Sequence, residues 1–291
     1  MKKFFAIALS AASLCLCLSA CDDDDNYWPV PPALTESLYN LYPSATEVKW
    51  YRMGYYSVAE FETSDNGSQT DRQAWFDGSG TWYMTATDSS YSQMPQAVQT
   101  AFTQSQYSSW TTDDADIIER EGAETLYAVE AVSGSGKSQT DAILFFTQDG
   151  FLVRTLIPVP HNYIYQDCLP ALLPAAVSAY VQSQYPSARI LASATGRTGT
   201  ELEILDNGVV RTLLFDNSGS WVSTSTQVAE TDVPSVVREA LLASAYASYT
   251  VDDVNFRQTQ SGDFYRYILS SNGRQAVVDI AADGSTVTPV N

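Results

Sequence analysis

The chain has few of the side chains on which most enzymes and nucleic-acid-binding proteins depend. Its 291 residues include four Cys and one His, too few to supply the ligands of a zinc site once the leader described below is removed. Lys and Arg number 15 against 34 Asp and Glu, a formal net charge of −19 at pH 7. Because such a chain repels phosphate backbones, nucleic acid is excluded as a partner. We therefore predict no metal, no cofactor and no nucleic acid.

Nucleophilic catalysis is also disfavoured, because the single histidine, His161, lies in a proline-bearing segment between Pro158 and Pro170. A Ser-His-Asp or Cys-His site needs its histidine held by strands or helices beside the nucleophile. Cys168 lies in the same segment, but an exposed loop histidine and a half-buried cysteine are the simpler interpretation. Paired carboxylates for glycoside hydrolysis stay open as an alternative, although no acidic pair is marked by its flanking sequence. We predict no catalytic residue.

Two further motifs have a structural explanation. Residues 133–138 end like a phosphate loop, but Ala131 stands where that loop needs glycine, and the segment joins two predicted strands. Residues 113–116 and 252–253 are rich in Asp but lack the Gly and Glu of a calcium loop. Both acidic segments fall between a predicted helix and the next strand, which indicates a turn in two copies of one unit.

The amino terminus has the features of a secretory signal peptide. Two lysines precede an apolar run from Phe4 to Leu18 that is too short for a comfortable membrane span. The run ends Leu-Ser-Ala-Cys at residues 18–21, which resembles the bacterial lipobox. This resemblance implies cleavage after Ala20 and a diacylglyceryl group on Cys21, whereas an ordinary signal peptide is the alternative. Since Cys15 and Cys17 would leave with residues 1–20, only Cys168 remains and no intramolecular disulfide can form.

Residues 21–30 form a predicted acidic tether that begins with four aspartates, Asp22 to Asp25. A run of like charges is solvated and extended. Acidic residues directly after a lipidated cysteine resemble the surface-export signal of Bacteroidetes lipoproteins. The alternative is a polar tether that carries no targeting signal. We predict a lipid-anchored protein of the cell envelope, at the outer membrane and facing either the surface or the periplasm, that touches the membrane through its anchor alone.

A short acidic turn with glycine between two apolar strand ends recurs four times. It reads Phe-Asp-Gly-Ser-Gly-Thr-Trp at residues 76–82 and returns at 146–152, 215–221 and, more loosely, 280–286. Glycine adopts positive φ at little cost and Asp or Asn tolerates it, so a strand can reverse there within a few residues. Four such hairpins predict four copies of one small unit.

A proline-led amphipathic helix precedes the strands of each copy. Pro31 is followed at +3 and +7 by Leu34 and Leu38, and apolar residues stand at the same offsets after the three later prolines, Pro95, Pro174 and Pro234. Proline suits the first turn of a helix, and apolar residues four apart form one buried stripe. An aromatic residue closes each helix, namely Tyr42, Tyr107, Tyr185 and Tyr246.

Each helix is followed by three or four β-type runs, which gives an αβββ unit. The predicted units are residues 31–93, 94–157, 174–232 and 233–291. One helix on one small sheet buries little surface, so the units should pair. The predicted fold class is α+β, a tandem of two domains at 31–157 and 174–291 joined by a linker at 158–173.

These features together resemble the PepSY-like, β-lactamase-inhibitor-like (BLIP-like) lipoproteins of Bacteroidetes. The similar elements are the Tyr-x-Val strands at 56–58 and 127–129, the proline-led helices that end in Tyr, and the glycine turn. The likeness is clear over 31–157 and weaker over 174–291, since unit four lacks the Phe and Trp. It implies two PepSY-like (BLIP-like) domains and a non-catalytic, inhibitor-like module for an unidentified protein partner, such as an envelope or secreted enzyme. A carbohydrate-binding or carbohydrate-active envelope protein and a scaffold of an envelope complex are the alternatives.

Adjacent aromatic residues mark both faces of the first predicted sheet. The pairs are Trp50-Tyr51, Tyr55-Tyr56, Trp75-Phe76 and Trp82-Tyr83. Neighbouring strand residues point to opposite faces, so one ring of each pair faces the helix and the other faces away. We assign to the helix side Trp50, Phe76 and Trp82. We predict an exposed binding face made by Tyr51, Trp75 and Tyr83. The alternative is that the two halves of a domain, or the two domains, cover these rings.

Overall fold

A computed structural model describes residues 29–65, 68–135, 139–157, 165 and 168–290. The signal peptide, Cys21, nearly all of the tether and His161 lie outside the described residues. Contacts divide the chain into two compact units, with the main division between Leu169 and Pro170. Among the described residues, no helix has the length and apolar character needed to cross a membrane.

The first unit contains two helices and an eight-stranded antiparallel sheet whose strands follow one another in chain order. Its first half is α1 (Pro32–Leu41), β1 (Thr46–Met53), β2 (Tyr56–Asp65), β3 (Ser68–Phe76) and β4 (Trp82–Ser89). Its second half is α2 (Gln96–Gln104), β5 (Thr111–Arg120), β6 (Ala123–Ser133), β7 (Thr140–Phe146) and β8 (Leu152–Leu156).

The second unit repeats this plan with a second eight-stranded sheet in sequential order. Its first half is α3 (Ala175–Gln184), β9 (Arg189–Gly196), β10 (Gly199–Asp206), β11 (Val209–Phe215) and β12 (Trp221–Gln227). Its second half is α4 (Ser235–Leu242), β13 (Thr250–Thr259), β14 (Phe264–Ser271), β15 (Arg274–Ala281) and β16 (Val287–Val290). The α+β tandem predicted from the sequence is confirmed, and each helix is followed by four strands, the larger of the two numbers expected.

One sequence interpretation is wrong at the start of β5 and β13. The aspartates at 113–116 and 252–253 do not form turns, because β5 already begins at Thr111 and β13 at Thr250. The acidic residues are interspersed with apolar residues that pack under the helices. Ala115 belongs to the cluster beneath α2, and Val251 packs against the cluster beneath α4. Burial of the alternate side chains therefore draws the acidic segment into the sheet.

All four helices begin after a proline and bury the predicted stripe. The prolines have φ between −50 and −55, as cap residues directly before the first helical residue. The buried helix residues are Leu34 and Leu38, Val98 and Phe102, Val177 and Val181, and Val237 and Leu241. Four hydrophobic clusters each join one helix to the strands of its own half-unit.

The turn glycines have a second role that the sequence did not indicate. Gly80 has φ +88, and a Cβ there would lie 2.9 Å from the carbonyl oxygen of Ala33 in the first turn of α1. Gly150 in the second half has φ +82, and its Cβ would lie 2.5 Å from the carbonyl oxygen of Ala97. Since real Cβ atoms do not approach backbone so closely, each turn needs glycine both for its φ and for the close approach of its helix.

Candidate functional site

Adjacent aromatic residues of the first sheet point to opposite sides, as assigned from the sequence. The rings that pack with α1 are Trp50, Phe76 and Trp82. Tyr51 and Trp75 belong to a separate cluster on the side turned away from the helices. Tyr83 contacts Tyr56 of that cluster edge to face, with 5.3 Å between ring centroids. We call this side of the sheet the first helix-free face.

The first helix-free face does not expose the rings that were predicted to bind a partner. Trp75 is 0% exposed and Tyr83 is 8% exposed, while Tyr51 is half-buried. The prediction of an exposed face is therefore wrong for Trp75 and Tyr83. Trp75 stands between Val58 and Met84 in one cross-strand row, and all three side chains are buried in the same cluster.

The end of the predicted linker covers part of this face. Tyr165, Cys168 and Leu169 pack into the cluster that holds Trp75. The guanidinium of Arg120 donates to the carbonyl oxygen of Cys168 at 3.4 Å, and that of Arg154 donates to its Sγ at 3.4 Å. Cys168 is only 2% exposed, more deeply buried than the sequence suggested. This segment thus belongs to the first unit rather than to a free linker.

Beside this apolar centre the first helix-free face is acidic. The Tyr165 hydroxyl donates to Asp116, whose carboxyl is largely buried. Burial raises the pKa of Asp116 to about 7, and the negative charges of Asp114, Asp88 and Glu130 add to the increase. Burial likewise raises the pKa of Asp88 and that of Glu130. No group of acidic, His or Cys side chains in the described part of the chain has the geometry of a metal site.

The second sheet has a corresponding helix-free face with different residues. Counting from the turn phenylalanines Phe76 and Phe215, Trp75 corresponds to Leu214 and Met84 to Ser223. The cross-strand partner in β13 is Thr259, where the first sheet has Arg120. Smaller and more polar side chains thus form this row, which gives the second helix-free face a more polar centre.

The second helix-free face carries two arginines on either side of one ring. Arg257 in β13 and Arg266 in β14 each place their guanidinium carbon 5.7 Å from the centroid of Phe264. Arg266 pairs with Asp279 through two hydrogen bonds of 2.7 Å. Arg257 donates to the Ser223 hydroxyl at 2.8 Å, while its Nε is buried without an acceptor. All of these positions are half-buried except Ser223, which is buried.

Sequence reasoning missed this group, although the necessary signal was present. In β14, Phe264 and Arg266 alternate with Tyr265 and Tyr267, and the two tyrosines pack toward α4. The same alternation that was applied to the first sheet would have placed Phe264 and Arg266 together on the other face.

Two cavities of about 320 Å³ each lie elsewhere in the units. One lies at the β1–β2 turn and is lined by Gly54, Tyr55 and Tyr56 among others, and the other lies beside α3. Neither is lined by Asp, Glu or His. The paired carboxylates that glycoside hydrolysis requires are therefore absent from both cavities.

Comparison with known proteins assigns the family. A family model described as "Putative beta-lactamase-inhibitor-like, PepSY-like" matches residues 55–154 and 203–272, more than half of the chain. The chain belongs to this PepSY-like family. The two matched regions fall in the two units, so each unit is a PepSY-like (BLIP-like) domain. A search of curated proteins finds no match.

Several solved structures from Bacteroides resemble about half of the chain. A BLIP-like protein from Bacteroides fragilis is 32% identical, with a TM-score of 0.43, over 49% of this chain and 97% of its own. A DUF2874 family protein from Bacteroides uniformis is 31% identical, with a TM-score of 0.42, over 48% and 96%. A structure from Bacteroides eggerthii described as "putative periplasmic proteins" is 25% identical, with a TM-score of 0.41, over 46% and 94%.

Proposed function

We propose that this protein is a non-catalytic module of the cell envelope that binds another protein through the second helix-free face. The observation that carries the proposal is the half-exposed group of Phe264, Arg257 and Arg266 on that face. Aromatic and Arg side chains supply most of the energy of protein interfaces when a partner desolvates them. The family resemblance to inhibitors supports a binding role, and inhibition of an envelope or secreted enzyme is the form that it suggests.

The second unit is the better candidate because, among the described residues, no hydrophobic cluster occupies its helix-free face. In the first unit, Tyr165, Cys168 and Leu169 pack onto the helix-free face. In the second unit, the described hydrophobic clusters lie on the helix side. Apolar side chains such as Ile268 and Val277, which are cross-strand neighbours, stay half-exposed beside the arginines. A partner would bury these side chains together with the ring of Phe264.

An enzymatic role is less well supported. Asp116 has the raised pKa of a general acid, but its carboxyl is buried and accepts a hydrogen bond from Tyr165. Neither cavity includes Asp116 or a second carboxylate. A substrate would have to displace the covering segment before it could reach this group, so we favour the binding module over the carbohydrate-active alternative.

The binding role can be tested by changing the face without touching the core. Ile268→Glu with Val277→Glu places two charges on the second helix-free face, and Leu242→Glu on the exposed surface of α4 serves as the matched control. Proteins captured from native envelopes by the wild-type chain should be lost at least tenfold with the double variant and kept by the control. If the double variant melts like the wild type and captures the same proteins, this face is not the binding face.

We also propose that Cys21 carries the lipid and that the protein faces outward from the outer membrane. The lipobox-like sequence at 18–21 and the acids that follow it support this placement. A fatty-acid analogue supplied to growing cells should label the wild-type protein, and Cys21→Ser should abolish the label. Protease treatment of intact cells then tests surface exposure. A serine variant that stays labelled would refute the anchor.

A further inference from the structure

Arg257 is half-buried, and part of its hydrogen-bonding capacity is unused. Its Nη2 donates to the Ser223 hydroxyl at 2.8 Å, and its Nε is buried without an acceptor. No salt bridge joins Arg257 to an acid among the described residues. A charge removed from water needs a paired charge or a full set of hydrogen bonds to offset the lost hydration. By this criterion Arg257 is undersatisfied.

Arg266 shows how the same face satisfies an arginine. It lies across β14 and β15 from Asp279, and the two parallel hydrogen bonds of 2.7 Å use the fork of its guanidinium. Both arginines contact the ring of Phe264 at the same distance, so they differ in their carboxylate and not in their aromatic neighbour. The sheet thus holds, side by side, one arginine that is hydrogen-bonded to a carboxylate and one that is not.

The electrostatic surroundings indicate which ligand Arg257 would take. Burial lowers the pKa of Arg257, the charge of Arg266 lowers it further, and Asp279 and Glu201 raise it. Burial raises the pKa of Glu201, and its carboxylate forms no salt bridge with Arg257. The two arginines and these two acids balance in charge, so the two acids would repel a dianion more strongly than a single carboxylate. The planar guanidinium favours a planar carboxylate.

We propose that Arg257 is an anchor for a carboxylate of the protein partner, supplied by an Asp, a Glu or a chain terminus. This inference rests on the proposed function and names the chemistry of the partner. The incoming carboxylate would meet the terminal nitrogens of the Arg257 guanidinium and lie beside Phe264, because the Nε of Arg257 is buried. The partner would thereby supply Arg257 with a carboxylate, as Asp279 supplies Arg266, but through the terminal nitrogens instead of Nε and Nη2.

The first test uses acetate as the probe and the mature chain as the protein. The side-chain Nε–Hε resonances of the arginines are followed by NMR while sodium acetate replaces sodium chloride at constant ionic strength. The Arg257 resonance should shift with a saturable dependence on acetate, while that of Arg266 should stay in place because Asp279 occupies it. Equal shifts of both arginines, or no shift of Arg257 beyond that in chloride, would overturn the proposal.

The second test asks whether Arg257 serves stability instead. Arg257→Gln should melt at or above the wild-type temperature because an undersatisfied charge is removed, whereas Arg266→Gln should melt lower because it leaves Asp279 unpaired. If Arg257→Gln and Glu201→Gln both lower the melting temperature as Arg266→Gln does, Glu201 is the counterion and the proposal fails.

The binding face and the Arg257 anchor can be refuted independently of each other. If the double variant at Ile268 and Val277 loses its partner while Arg257→Gln keeps it, the face binds but Arg257 is not the anchor. Arg257→Lys keeps the charge but not the fork, so a carboxylate anchor predicts capture that is at least threefold weaker than with the wild type. Unchanged capture by both Arg257 variants would overturn the anchor and leave the binding face intact.

Discussion

The replacement Asp116→Asn should stabilise the protein by an amount that grows from pH 5 to pH 8, and it should leave the protein nearly unchanged only below about pH 4. Asn is neutral at every pH and similar in shape, and it can still accept a hydrogen bond from Tyr165. In the wild type, the folded state raises the pKa of Asp116 from 3.8 to about 7. The favourable contribution of this proton is complete below the unfolded pKa and is lost as the pH rises through the folded pKa.

The magnitude follows from the size of the shift. One pKa unit corresponds to about 1.4 kcal/mol, and between pH 5 and pH 8 the folded wild type releases a proton that the unfolded chain has already lost. The free energy of unfolding of the wild type should therefore fall by roughly 3 kcal/mol over this range more than that of Asp116→Asn. Asp88 and Glu130 shift in the same direction, so the variant should keep a shallower slope.

Urea unfolding at pH 5, 6, 7 and 8 measures this difference, with tryptophan fluorescence as the signal because Trp75 lies in the same cluster as Tyr165. Glu119→Gln, at an exposed residue of the same strand, is the matched control and should run parallel to the wild type. A constant difference between Asp116→Asn and the wild type at every pH would refute the reasoning, since it would mean that Asp116 does not titrate in this range.

Three further predictions test the fold. Gly80→Ala should destabilise the first unit by about 2 kcal/mol or more, because the turn has positive φ and the new methyl would overlap α1. Gly54→Ala, at a glycine with φ +61 and open space around it, should cost about 1 kcal/mol, and urea unfolding measures both values. Trp75→Ala should lower the free energy of unfolding by about 3–5 kcal/mol, whereas Tyr55→Ala, at a ring that is 97% exposed, should change it by less than about 0.5 kcal/mol. Fragments 29–169 and 170–291 should each melt cooperatively. A fragment 29–157 should melt at a lower temperature than fragment 29–169, because it lacks the residues that pack into the cluster of Trp75. Equal melting temperatures of these two fragments would contradict that role.

The helices, turns and strand alternation were predictable because each has a local signal. Pro31 with Leu34 and Leu38 fixes the start and the buried stripe of α1 within eight residues. The opposite orientations of Trp75 and Phe76 follow from the geometry of a strand alone. The repetition of these signals in four copies then predicted the tandem, because a single half-unit could not bury enough surface.

The burial of Trp75 could not be predicted in the same way. The cluster that buries it includes Tyr165 and Cys168, about ninety residues along the chain, in a proline-bearing segment without any periodic pattern. The pKa of Asp116 depends on Tyr165 and on acids from neighbouring strands. The hydrogen bond and the charged neighbours of Arg257 come from β10, β12, β14 and β15. The orientation of a side chain is thus a local property, whereas its exposure and pairing are set by distant segments.

Side-chain footprinting with hydroxyl radicals tests the binding face most directly. The purified mature protein and the same protein in native envelopes are oxidised in parallel, and the modification of each aromatic residue is compared. Trp75 should be protected in both samples because it is 0% exposed, and Tyr55 should be modified in both. Phe264 should be modified in the purified protein and protected in the envelope, where its partner covers it. Equal modification of Phe264 in both samples would contradict the proposed binding face.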